Sequence, residues 1–178
     1  MTVVCFGDSI TAGQHLDPEL AWPALLGWEA RGVPGETTRQ ALERFPRDVQ
    51  ESGAAKVVIQ FGLNDCNRWE TDRGLSRVSE AAFEANLVEM VERARRFEIE
   101  PALVTITPTL KGVEYEEAAE AYTQTIVWLA DELTVPIYDV RDELEHLPLD
   151  ELLLPDGVHL SAEGHRFYAE ILRPFGEL

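Results

Sequence analysis

Basic residues are scarce in this chain: 15 lysines and arginines stand against 33 aspartates and glutamates in 178 residues, a net charge of −18. That balance speaks against nucleic acid and anionic membrane surfaces as partners, since both select a positive face. It describes instead a solvated, self-repelling surface. Cysteine is nearly absent. Cys5 lies inside the first apolar run and Cys66 just beyond a later one, a placement that reads as free thiols rather than a bridge. No Cys/His cluster has metal-ligand spacing, so neither metal nor cofactor is expected. No apolar run approaches the ~18 residues of a membrane span, and the first residues carry no basic-then-apolar leader. The expected location is cytoplasmic, without membrane insertion. Repeats and low-complexity tracts are missing. So are G-x-G-x-x-G and G-x-x-x-x-G-K-[ST], which removes nucleotide binding, and G-x-S-x-G, which removes the nucleophile elbow of the α/β-hydrolases.

What is present is the alternation of a parallel α/β sheet. Four continuous apolar runs read as strands covered on both faces: Val3 to Phe6, Val57 to Phe61, Ala102 to Ile106 and Val135 to Tyr138. A short fifth, Gly27 to Ala30, precedes Arg31-Gly32-Val33-Pro34-Gly35. Phe83, Leu87, Met90, Val91, Ala94 and Phe97 step at helical spacing, as do Tyr115, Ala118, Tyr122, Ile126, Leu129 and Leu133. Thr37, Ala41, Leu42 and Phe45 begin another helix, which Pro46 interrupts or kinks. A last helix, capped by Ser161, runs from about Ala162 to just before Pro174. Every connection is long enough for a crossover. The expectation is one domain, residues 1–178, with a three-layer α/β/α architecture around a five-stranded parallel sheet.

Chemistry-bearing residues fall where the strands of such a sheet end. Gly7-Asp8-Ser9 closes the first strand and turns at once into a helix start, which lifts a serine hydroxyl to the carboxyl edge where open sheets hold ligands. Gly35 enters a helix N-terminus with its backbone N–H uncovered. Gly62-Leu63-Asn64-Asp65 follows the strand Val57 to Phe61 and offers a side-chain amide. Pro155-Asp156-Gly157-Val158-His159 is a tight turn in which a carboxylate can fix one imidazole nitrogen and leave the other free as a base. Each has a plainer reading as a cap or turn. With the strand order 2-1-3-4-5, however, Gly35, Ser9 and Asn64 stand side by side. The roughly twenty residues before His159 easily span the about 14 Å back from the far edge, at about 3.3 Å per extended residue.

Together these four blocks, spanning residues 7 to 159, resemble the signature of the SGNH hydrolases, the GDSL-type esterases and lipases. The resemblance implies a flavodoxin-like fold and a serine-dependent ester hydrolase. Carried over by position, Ser9 is the nucleophile, His159 the general base and Asp156 its orienting carboxylate. The oxyanion hole would be the N–H of Ser9, the N–H of Gly35 and the amide of Asn64. Ile10 replaces a leucine common in the family. The segment before Gly35 is shorter than usual and has Arg31 where asparagine is common, which keeps Gly32 as a second candidate for the oxyanion glycine. The implied substrate is a small ester with a short acyl or acetyl group; sugar O-acetyl esters, lysophospholipids and thioesters are alternatives. A non-catalytic flavodoxin-like binding module is the reading from another class, and the complete residue set speaks against it. Asp8 and Asp65 read as turn-forming residues, His15 and His146 as surface histidines, and His165 as facing solvent or the core edge. Asn67-Arg68-Trp69 and Lys111-Gly112 are loops that can line the pocket. No residue pattern specifies an oligomer.

Overall fold

The computed structural model describes residues 2–177. Its five strands are β1 (Val3–Gly7), β2 (Glu29–Gly32), β3 (Lys56–Gln60), β4 (Glu100–Val104) and β5 (Ile137–Tyr138). They pair in parallel in the order β2-β1-β3-β4-β5, as the sequence predicts. The helices are α1 (Ser9–Ala12), α2 (Trp22–Leu26), α3 (Thr38–Phe45), α4 (Leu63–Cys66), α5 (Glu80–Arg96), α6 (Val113–Glu132), α7 (Val140–Glu145), α8 (Leu149–Leu152) and α9 (Ala162–Glu177). α3, α5 and α6 pack side by side, while α2 and α8 pack on α9. This is the two-sided covering that right-handed crossovers give when the chain reverses direction after β2.

Burial explains why the central strands read as unbroken apolar runs. Every residue of β1 and β3 is buried. Phe6 on β1 meets Phe45 and Phe61 edge-on at ring distances of 5.2 and 5.5 Å. α5 buries Phe83, Leu87, Met90, Val91 and Ala94. Each of its larger side chains contributes about 1.5–3 kcal/mol. Phe97, expected on that stripe, lies past the end of α5 and is 52% exposed.

Several boundaries move for identifiable reasons. β2 begins at Glu29, not Gly27, because Gly27 closes α2 and Trp28 is taken into an aromatic contact with Trp22 and Phe175. β5 loses its first two expected residues; Pro136 has no N–H for a ladder, although its carbonyl accepts from Leu103. β4 ends at Val104, where Thr105 turns its hydroxyl to Asp139 Oδ1 (2.8 Å). α9 does not stop before Pro174. It runs on because Phe175 is fully buried against Trp28 and Tyr138, and its carbonyl accepts a 2.7 Å hydrogen bond from the buried Lys56 ammonium. That tertiary packing outweighs the hydrogen bond proline removes. Ser161 caps α9 as expected, its Oγ accepting from Gly164 N, and at Pro46 the α-helix gives way as expected: α3 ends at Phe45 and the chain continues in a wider π turn over Pro46–Gln50.

Candidate active site

β1 delivers Ser9 because Asp8 stops the strand. The Asp8 carboxylate accepts from Ile10 N at 3.0 Å and caps the short α1, which leaves the Ser9 hydroxyl at the sheet's carboxyl edge. The last block works the same way at the other side of the cleft. Asp156 Oδ1 accepts from the backbone N–H groups of Val158 and His159 at 2.9 and 3.0 Å, folding the turn so that its other oxygen faces the imidazole. His159 Nδ1 lies 2.6 Å from Asp156 Oδ2, and His159 Nε2 lies 3.0 Å from Ser9 Oγ. The tautomer these contacts select carries its proton on Nδ1, donated to Asp156, and accepts the Ser9 hydroxyl proton at Nε2. An imidazole held this way can take that proton and later return it.

Electrostatics support the same assignment. Partial burial raises the Asp156 carboxyl, but the bond from His159 and two backbone N–H donors outweigh it and bring it down to about 2. Asp156 therefore stays ionised and holds the imidazole in place. Asp8, completely buried, behaves oppositely: burial pushes its carboxyl up to about 7 against the hydrogen bond from Ile10 N. Asp65 is pushed up to about 6 by burial, opposed by donors from Thr38.

Ser9, Gly35, Asn64, Asp156 and His159 line one open cleft of about 590 Å³, together with Gln14, Pro34, Leu63, Asn67, Lys111, Tyr115 and Val158. Gly35 and Gly32 separate cleanly. Gly35 lies in the cleft wall at φ 75°, with nothing within 4 Å of where a Cβ would stand. At Gly32 a Cβ would come within 2.2 Å of Ala12 N and 2.7 Å of Asp8 O, so its role is to let β2 approach α1. The Asn64 amide is half-buried and donates to Asp8 Oδ2 at a long 3.3 Å. Tyr115 fixes its helix by donating to Leu63 O (2.7 Å).

The structure also assembles parts that sequence reasoning did not single out. Arg44 on α3 donates to Gly7 O (3.2 Å), Arg31 O (3.0 Å), both oxygens of Glu36 (2.5–2.9 Å) and Asp48 Oδ2 (2.8 Å). One guanidinium thus ties the ends of β1 and β2 to the loop carrying Gly35. Arg77 adds a 3.0 Å bond to Gly35 O. Asp65 accepts from Thr38 N and Oγ1 at 3.0 and 2.5 Å, joining α4 to α3. His15, read as a plain surface histidine, is exposed but stands edge-on to His159 with ring centroids 4.9 Å apart. His165 is not at a solvent edge: it is 1% exposed, accepts from Trp22 N through Nδ1 (3.2 Å), and burial pushes it down to about 4. His146 is exposed, and Cys5 and Cys66 are both free and buried. Among the described residues, two trios can share a metal ion: His15, Asp156 and His159, and Asp142, Glu145 and His146.

A family model described as "GDSL-like Lipase/Acylhydrolase family" matches residues 5–167, a span that holds all four blocks and their hydrogen-bonded centre. The chain belongs to that family. Its relatives include "Thioesterase 1/protease 1/lysophospholipase L1" of Escherichia coli K12, 28% identical over 178 residues, covering 95% of this chain and 80% of that protein. "Esterase TesA" of Pseudomonas aeruginosa is 33% identical over 129 residues, covering 66% of this chain and 60% of that protein. Among solved structures, the lipase/acylhydrolase of Enterococcus faecalis superposes with a TM-score of 0.81 at 26% identity, covering 98% of this chain and 95% of that one. The chain is accordingly an ester hydrolase of the GDSL type, built on a five-stranded parallel α/β fold that its solved relatives share in overall shape. No described helix is long and apolar enough to cross a membrane.

Proposed function

We propose that this family member is a serine carboxylesterase acting on short-chain acyl or acetyl esters, folded as one domain over residues 1–178. Ser9 is the nucleophile, His159 the general base and acid, and Asp156 the carboxylate that orients it. The carrying observation is the unbroken line Asp156–His159–Ser9, with both hydrogen bonds at 3.0 Å or less. His159 takes the Ser9 proton as Oγ attacks the ester carbonyl. In this reading the negative charge developing on the carbonyl oxygen is stabilised by the N–H groups of Ser9 and Gly35 and by the Asn64 amide, all three residues lining the cleft. The alcohol departs with the proton from His159, and water repeats the sequence on the acyl-enzyme. A location in the cytoplasm belongs to the same proposal, supported by two thiols left unpaired.

One observation favours a second reading, a longer-chain acyl ester or thioester. A groove of about 370 Å³ adjoins the cleft, shares Asn67, Lys111 and Tyr115 with it, and continues past Cys66, Val113 and Ala118. The relative in Escherichia coli carries thioesterase and lysophospholipase in its name. Hydrolysis of p-nitrophenyl esters from acetyl to dodecanoyl, with Ser9→Ala beside the wild type, tests both. The expected result is a maximum at short chains and a loss of about 10⁶ in kcat for Ser9→Ala. A maximum at long chains selects the second reading. A Ser9→Ala enzyme of undiminished rate overturns both.

A further inference from the structure

His15 takes no part in the proton path above, yet the chain brings its ring edge-on to that of His159, 4.9 Å away. The turn after α1 holds it in the left-handed backbone region, at φ 74°, where histidine is one of the few tolerated side chains. One ligand atom from each of His15, His159 and Asp156 then lies within 4.8 Å of the others. We propose that these three side chains form a zinc-binding site, and that zinc bound there switches the hydrolase off.

The donor set decides the ion. Two imidazoles and one carboxylate suit zinc, whereas magnesium and calcium select oxygen ligands. Zinc bonds of about 2.0–2.1 Å set tetrahedral donors about 3.3 Å apart. His159 Nδ1 and Asp156 Oδ2, now 2.6 Å apart, need to open slightly, and the exposed His15 ring needs to swing inward. Asp156 can open without losing its turn, because its other oxygen carries the two backbone bonds. A fourth position stays open to water from the cleft.

The inhibition follows from proton accounting and rests on the reading of His159 as the base; the binding does not. Both His159 nitrogens are in use at rest. When zinc takes the Nδ1 lone pair, the Nδ1–H bond breaks, a zinc–nitrogen bond forms, and the proton moves to Nε2. Nε2 then donates to Ser9 and can no longer accept its proton.

Zinc chloride is titrated by calorimetry into the Ser9→Ala protein in a non-chelating buffer, and separately into wild-type enzyme hydrolysing p-nitrophenyl acetate. One equivalent is expected to bind, hydrolysis to fall along the same isotherm and EDTA to restore it, while magnesium chloride does neither. His15→Asn should weaken binding and inhibition at least tenfold, with inhibition referenced to its own zinc-free rate. His146→Asn, which dismantles the exposed trio on α7, should change neither. An isotherm unmoved by His15→Asn, or abolished by His146→Asn, overturns the zinc site and leaves the esterase reading intact. Hydrolysis that survives in Ser9→Ala, beside a His15-dependent isotherm, overturns the esterase reading and the switch and leaves the zinc site.

Discussion

Truncating Asn64 to alanine tests the proposed oxyanion hole at the only one of its three donors that a side chain supplies. In the resting structure that amide points at Asp8 Oδ2 over 3.3 Å, at the long end for a hydrogen bond, so it is not held by a strong partner. Asp8 keeps its 3.0 Å bond from Ile10 N in the variant, which limits the stability loss to about 1 kcal/mol. The catalytic loss is larger, because the donor acts on charge that appears only in the transition state. Removing one such donor costs roughly 10²–10³ in kcat, about 2.7–4 kcal/mol. KM should stay near the wild-type value, since the ground-state carbonyl draws little from the same bond. Steady-state kinetics on p-nitrophenyl acetate and butyrate, with urea unfolding as a check on the fold, measure both quantities. A kcat within threefold of wild type refutes the assignment. So does a rise in KM at unchanged kcat, which would make Asn64 a binding residue only.

Asp156→Asn replaces the acceptor at Nδ1 with an amide that favours the other tautomer, and kcat should fall by about 10⁴ in the same assay; a tenfold loss or less would remove Asp156 from the mechanism. Gly32→Ala should fail to fold, because its Cβ meets backbone atoms of Ala12 and Asp8. Gly35→Ala should fold with a loss of about 1–2 kcal/mol from its positive φ, read by urea unfolding; equal losses in the two variants would contradict the division between packing glycine and cleft glycine. Two buried groups pull stability in opposite directions between about pH 4 and 7. Asp8, raised from 3.8 to about 7, lends stability below its unfolded value that is lost as pH rises; His165, lowered from 6.5 to about 4, lends stability above its unfolded value that is lost as pH falls. Stability should therefore rise with pH more steeply than wild type in Asp8→Asn and less steeply in His165→Gln, by up to about 1.4 kcal/mol per pH unit. Parallel curves would refute both assignments.

The strand order and the five residues that meet in the cleft were legible because each sits at a strand end or in a tight turn, where local chemistry dictates direction. Asp8 caps the short helix that carries Ser9, and Asp156 folds the turn that carries His159. What stayed hidden depends on contacts between distant stretches. The bonds of Arg44 to Gly7, Arg31 and Glu36 cross three elements, and only its spacing of four to Asp48 hints at pairing. His15 reaches His159 through a left-handed turn at a residue other than glycine, which no pattern announces. His165 did leave a signal: with Tyr168, Ala169 and Leu172 it completes a buried helical stripe, and histidine's usual exposure masked it. The failed stop at Pro174 is tertiary packing overriding a local preference.

The guanidinium of Arg44 makes the two sides of the cleft unequal in their freedom to vary. On one side the ends of β1 and β2 and the Gly35 loop are cross-linked through a buried ionic knot, so a substitution there disturbs charges with no water to turn to. On the other side Lys111, Gly112 and Glu114 face solvent, and Val113 is 73% exposed. Changes of length or polarity in that stretch meet water rather than core. The cleft works like a vice with one welded jaw and one adjustable jaw: the wall at Lys111 and the exposed stretch after it can change while the braced side that carries Ser9 and Gly35 keeps its shape.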